Sequence, residues 1–199
     1  IPIDHDEGLN VDKERVYELL KAFTTLYTLD KKYLLYHFNL QGAIDLSLLY
    51  SMVKFDKLEY SRDFSYINTF YNKFKDSIIT NKLIPISKLY QASEEIYYKV
   101  KDVIEYNIPS GFDFYNKTAT NVFFLLEQSG IGIHKEQFEE MFTPRDSNYN
   151  IVDDITYSYY NLYNITSRPT NAFNSVNYAA IPKTDKHRSS FKPQNDFFV

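Results

Sequence analysis

The chain has 199 residues, 44 % of them apolar, and carries 26 acidic against 22 basic residues for a formal net charge of −4. That is enough for one large domain or two small ones with a real core, and the net charge taken alone argues against a nucleic-acid binder. The absence of cysteine excludes disulfides and thiolate metal sites, and no apolar run approaches the roughly 18–20 residues of a membrane helix.

Ile1-Pro2-Ile3 reads as the end of a strand, without a Met, a basic start or an apolar leader. The expectation is a chain trimmed at its start, cytoplasmic, with no membrane partner. Asp4-His5-Asp6-Glu7 is dense in hard ligands, but neighbours on a strand point to opposite faces, so a solvated strand end is the expected reading. Asp12 can cap a helix with Val16, Leu19, Leu20 and Phe23 at helical spacing. Tyr33 to Phe38 is strand-like, and Ala43 to Val53 is an apolar helix candidate. Asp56 to Pro85 is aromatic-rich and irregular. Ser93 can cap a helix with Ile96, Val100, Val103 and Ile104 on one face, broken by Pro109-Ser110-Gly111.

A second unit starts near Phe112. Thr118 or Thr120 opens a helix through Val122, Phe123, Leu126 and Glu127, with Gly130 at the C-cap. Ile131-Gly132-Ile133 is extended, Lys135 to Phe142 a short helix, and Pro144 to Asn150 a polar turn. Ile155 to Tyr163 alternates as a strand with Tyr157 and Tyr159 on one face. Helices and strands mix throughout, so the expected class is α/β or α+β. Between Arg168 and Pro193 the basic residues Arg168, Lys183, Lys186, Arg188 and Lys192 face one acid, Asp185. A basic tail on an acidic body suits a local phosphate contact, or a merely solvated tail. His134 and His187 stand alone and read as surface residues. Asn116-Lys117-Thr118 and Asn164-Ile165-Thr166 match the glycosylation pattern by chance. Nineteen Tyr and 16 Phe beside no Trp reflect an AT-rich coding bias.

Three stretches resemble family A DNA polymerases, the bacterial polymerase I type. The first is Phe124-Leu125-Leu126-Glu127-Gln128-Ser129-Gly130-Ile131-Gly132-Ile133, similar to the helix and turn by which the family enters its polymerase domain. His134 stands at the family's usual Asp. The second runs from Thr156-Tyr157-Ser158-Tyr159 to Thr166-Ser167-Arg168 and is similar to the family's Thr-Gly-Arg signature, with Ser167 for the glycine and Pro169 for the usual leucine. The third is Asn177-Tyr178-Ala179-Ala180-Ile181-Pro182 with Arg188-Ser189-Ser190-Phe191. It is similar to Asn-Leu-Gln-Asn-Ile-Pro and the Arg-x-x-Phe beyond it, with two amides replaced by Ala179 and Ala180.

The resemblance implies a palm approach that binds primer–template DNA. The minor-groove edge offers acceptors that barely differ between base pairs, so Arg168, with Thr166 and Asn177, would sense pair geometry without reading sequence. Lys183, Lys186 and Arg188 would meet backbone phosphates. The Mg²⁺ of the parent enzyme needs carboxylates to hold it. The family's first such Asp is expected beyond Val199, so this chain alone is expected not to polymerise, and the remaining polymerase polypeptide is an expected partner. The thirty-odd residues between Ile133 and Thr166 are too few for the family's thumb.

The N-terminal half resembles the family's ribonuclease H-like 3′-5′ exonuclease. His37-Phe38-Asn39-Leu40 is similar to its second metal motif with Ala43 at the aspartate position, and Tyr98-x-x-x-Asp102 has the spacing of the third. On a helix that pair shares a face, which also describes any exposed helical pair, and a single carboxylate does not hold two metals. The expected organisation is therefore an incomplete, inactive exonuclease-like region over residues 1–108 and the start of a polymerase domain over 112–199, in a bacterial or phage-infected cell. Two other readings stay open: a non-catalytic exonuclease-like module for contacts within a phage replisome, and a ribonuclease H-like nuclease.

Overall fold

The computed structural model describes residues 10–56, 58, 86–142, 150–163, 168–172 and 177–193. Ile1 to Ile3, the Asp4 to Glu7 cluster, most of the stretch from Asp56 to Pro85, the turn expected after Pro144, and Thr166 lie outside the described residues.

Helix α1 spans Lys13–Lys21, and the Asp12 carboxylate accepts from the Arg15 N–H at 3.0 Å, as the sequence predicts. Its inward side is narrower than expected. Val16 is buried and Tyr17 stacks on Phe38 with centroids 5.9 Å apart, while Leu19 and Phe23 stay exposed. Strand β1 (Tyr27–Thr28) pairs in parallel with β2 (Ile44–Asp45), and helix α2 (Lys31–His37) crosses between them. The sequence reading made Tyr33 to Phe38 a strand, and that is wrong. Asp30 sits in an extended conformation and accepts from the Tyr33 N–H at 3.0 Å, so a capped helix starts there. Helix α3 begins at Leu46 rather than Ala43 and runs to Lys54. Ile44 and Asp45 are taken by β2, and Asp45 caps α3.

Helix α4 spans Ile86–Ile104, so Ser93 lies inside it instead of opening it. Ile96, Val100 and Val103 are its buried stripe. Leu46, Leu58, Ile96 and Val100 form one core cluster. Leu48, Leu49, Val103 and Phe112 form a second, with Tyr163 packed against it. Phe112 and Tyr163, from beyond the break at Pro109-Ser110-Gly111, therefore pack into the core built by α3 and α4.

A π-helical stretch, Phe114–Ala119, leads without interruption into α5, Thr120–Ser129. The helix therefore starts earlier than Thr118 or Thr120, and the Thr120 hydroxyl donates back to the Tyr115 carbonyl at 2.9 Å. Gly130 caps α5 with φ +64°, and a Cβ there would lie 2.5 Å from Ile155 Cγ2 and 2.8 Å from the Thr156 carbonyl oxygen. Only glycine satisfies both the backbone and the space. Strand β3 (Ile131–Gly132) follows, then α6 (Lys135–Met141), as the sequence predicts.

Strands β4 (Asn150–Val152) and β5 (Ile155–Tyr157) form a hairpin through Asp153 and Asp154, both at positive φ, and the three-stranded sheet has the order β3-β5-β4. The single strand expected over Ile155 to Tyr163 breaks at Ser158. Strand β6 (Tyr159–Asn161) leaves that sheet and pairs antiparallel with β7, Thr170–Ala172. Tyr157 and Tyr159 thus belong to different sheets. A 3-10 turn at Tyr178–Ala180 and a short helix α7, Asp185–Arg188, complete the described chain. The class is mixed helix and strand, with the strands of the described residues in three small sheets. No helix among the described residues is long and apolar enough to cross a membrane.

Candidate nucleic-acid interface and its buried support

Residues of the first and third stretches that carry the polymerase resemblance meet in one small cluster. Ile133 and Phe138 are fully buried, and Phe142, Ile151, Tyr178, Ile181 and Phe191 pack on them. Ile133 bridges to Phe191. The flanking backbone is tied on both sides, His134 N–H to the Ser190 carbonyl at 2.8 Å and Lys192 N–H to the Gly132 carbonyl at 2.9 Å. Thr156 pairs with Ile131 across β3 and β5.

The candidate DNA contacts are spread over this unit and the separate β6–β7 pair. Arg168 is exposed and lies two residues before β7. Asn177 is exposed at the start of the 3-10 turn, and its carbonyl accepts from the Ala180 N–H at 2.9 Å. Lys183 and Arg188 are exposed. Lys186 reaches Glu140 at 2.7 Å across an exposed ion pair, a contact weak enough for a phosphate to displace. His134 is exposed, and His187 lies 2.7 Å from the Thr184 hydroxyl through Nδ1.

Tyr98 and Asp102 are both exposed on α4, away from the buried stripe. Asp102 pairs with Lys54 at 2.6 Å, and that hydrogen bond holds its carboxyl below the usual range. Lys101 lies 5.5 Å from the Tyr98 ring centroid. Among the described residues no group of three or more His, Asp or Glu side chains is placed to hold a metal ion, and Asp102 is engaged with a lysine.

The most unusual chemistry is buried, and sequence reasoning missed it. Lys31 and Lys32 are almost fully buried at the start of α2, with Asp30, Asp45, Asn116 and Glu127 equally enclosed. Charged groups survive burial only when paired and hydrogen-bonded. Lys31 Nζ donates to the Gln41 carbonyl at 2.5 Å and the Asn116 carbonyl at 2.8 Å. Burial pushes its ammonium below the usual lysine value, against the opposing pull of Asp45. Asp45 accepts from the Lys31 N–H at 2.9 Å, the Leu48 N–H at 3.0 Å and the Tyr163 hydroxyl at 2.9 Å. Its carboxyl is nevertheless raised, first by burial and then by nearby Asp30. Asn116 accepts from the Asp45 N–H at 3.0 Å and donates to the Ala43 carbonyl at 3.1 Å.

Lys32 forms a buried ion pair with Glu127 and also donates to the Tyr160 carbonyl. Its ammonium sits 3.9 Å from the Tyr159 ring centroid. Glu127 accepts from the Tyr160 N–H at 2.8 Å, while its other oxygen has no protein partner. Burial pushes this carboxyl up to about 7, with Lys32 pulling the other way. The Tyr159 hydroxyl donates to Asp30 at 3.0 Å. One signal for all this was available: two lysines in an otherwise apolar segment, behind an aspartate.

Comparison with known proteins returns no family model, no curated protein and no solved structure that matches the chain.

Proposed function

We propose that this chain is a DNA-binding part of a DNA-directed DNA polymerase of family A type, acting in replication, with a worn ribonuclease H-like exonuclease region ahead of a palm approach. The observation that supports this reading most is the cluster on Ile133 and Phe138, which draws together residues from the first and third polymerase-like stretches, with Thr156 of the second paired alongside. The first and third stretches are thus drawn together, and the segment that follows Tyr178 carries exposed Lys183, Lys186 and Arg188, with Asn177 exposed just before it and Arg168 exposed beside β7 of a separate two-stranded sheet. In this reading Arg168 and Asn177 donate to minor-groove acceptors and the lysines neutralise phosphates. The polymerising carboxylates and Mg²⁺ belong to the parent enzyme's remaining polypeptide.

The test is a primer–template titration by fluorescence anisotropy over a salt series. Binding should weaken steeply with salt, and Arg168→Ala should cost about tenfold in affinity. No binding at low salt, or an affinity indifferent to Arg168→Ala, would sink the assignment. A second reading, an interaction module without chemistry, is favoured by the exposed Tyr97, Tyr98, Tyr106 and Ile108 at the end of α4, and it is what a failed titration leaves.

A further inference from the structure

Among the described residues, strand β6 has a neighbouring strand on one edge only. β7 pairs along it, with Tyr160 opposite Asn171. On the other edge the backbone groups of Tyr160 meet side chains instead of a strand: its N–H donates to Glu127 and its carbonyl accepts from Lys32. A salt-bridged pair thus covers the edge as a neighbouring strand would, satisfying both polar groups of one residue. Lys32 belongs to α2 and Glu127 to α5, 95 residues apart. Two further ties reach the same segment from the N-terminal half, Tyr159 hydroxyl to Asp30 and Tyr163 hydroxyl to Asp45. Residues 30–45 therefore hold the chain at three successive points shortly before Arg168.

We propose that Lys32 and Glu127 are positioning residues for the β6–β7 hairpin: by covering the outer edge of β6 they let the N-terminal half set the place of Arg168. The consequence for DNA rests on the function proposed above; the positioning itself does not. This assigns the degenerate exonuclease-like half a use that needs no metal and no hydrolysis.

The experiment compares the intact chain with Lys32→Met/Glu127→Gln, which removes both charges while keeping similar volume, and with Tyr159→Phe, which removes only the tie to Asp30. Amide exchange is read over the paired residues 159–161 and 170–172, with residues 96–103 of α4 as the internal control. Exchange at these strands should speed up by about tenfold in the double variant, and less in Tyr159→Phe, with the control unchanged. Unchanged protection of the two strands overturns the inference, and so does an equal loss in the control, since that makes the pair a general stabiliser. DNA affinity supplies an independent arm. The double variant should weaken primer–template binding, and adding Arg168→Ala to it should cost much less than in the wild-type background. Full additivity overturns the positioning role. Failure of the wild-type chain to bind DNA overturns the proposed function instead and leaves the exchange result standing.

Discussion

At the scale of single residues, burial outweighs the charges that oppose it. Glu127 has Lys32 beside it, yet burial outweighs that pull and pushes the enclosed carboxyl up to about 7. Such a shift couples folding to pH. A carboxyl whose native value is raised takes up a proton on folding, so its contribution is fully present below its ordinary value of 4.5 and is lost as pH rises towards about 7. Asp45, raised in the same direction by burial and Asp30, adds to the effect. Chemical denaturation between pH 5 and 7 should show stability falling with pH, with a shallower slope in Glu127→Gln; an unchanged slope would remove Glu127 as its source. Beyond two lysines behind an aspartate in an apolar segment, none of this was legible in the sequence, because Lys31 and Lys32 look like a solvated pair until Asn116 and Glu127, 85 and 95 residues away, are brought to them.

At the scale of elements, what was legible is what local chemistry decides. Asp12 and Gly130 mark helix ends by capping geometry, and both stand where the sequence puts them. Gly130→Ala should cost about 1–3 kcal/mol, since φ +64° strains an L-residue and the added methyl meets Ile155 and the Thr156 carbonyl; a thermal melt that does not shift would refute this. What was not legible is what long-range partners decide. Tyr33 to Phe38 has the composition of a strand, but Asp30 caps a helix there, and Asp45, across the β1–β2 pair, receives the Lys31 N–H. The run from Ile155 to Tyr163 alternates like one strand, but its two ends pair with different sheets. The Asp153-Asp154 turn escaped because both residues take positive φ without the glycine that usually announces it. The candidate DNA contacts were marked in the sequence, while the Ile133 cluster, which gathers Tyr178, Ile181 and Phe191, depends on packing that no spacing rule describes.

At the scale of the whole molecule, the division at residues 108–112 is crossed by packing as well as by charge. Phe112 and Tyr163 enter the cluster of Leu48, Leu49 and Val103, and the Lys31 and Lys32 ties run alongside. Phe112→Ala should therefore cost about 3–5 kcal/mol by opening a cavity in a shared core. Unfolding should remain a single transition, coincident whether followed by far-ultraviolet dichroism or by tyrosine fluorescence. Two resolved transitions would mean that the halves fold apart.

The covered edge of β6 also bears on how the protein may be cut. A fragment beginning at Phe112 would keep Glu127 and lose Lys32, Asp30 and Asp45 together. It would carry a buried carboxylate without its cation, and the Tyr160 carbonyl would be left unpaired on a strand edge. Exposed edges of that kind recruit other strands. Expressed alone, the C-terminal half should self-associate, and supplying residues 10–56 on a separate polypeptide should restore its solubility.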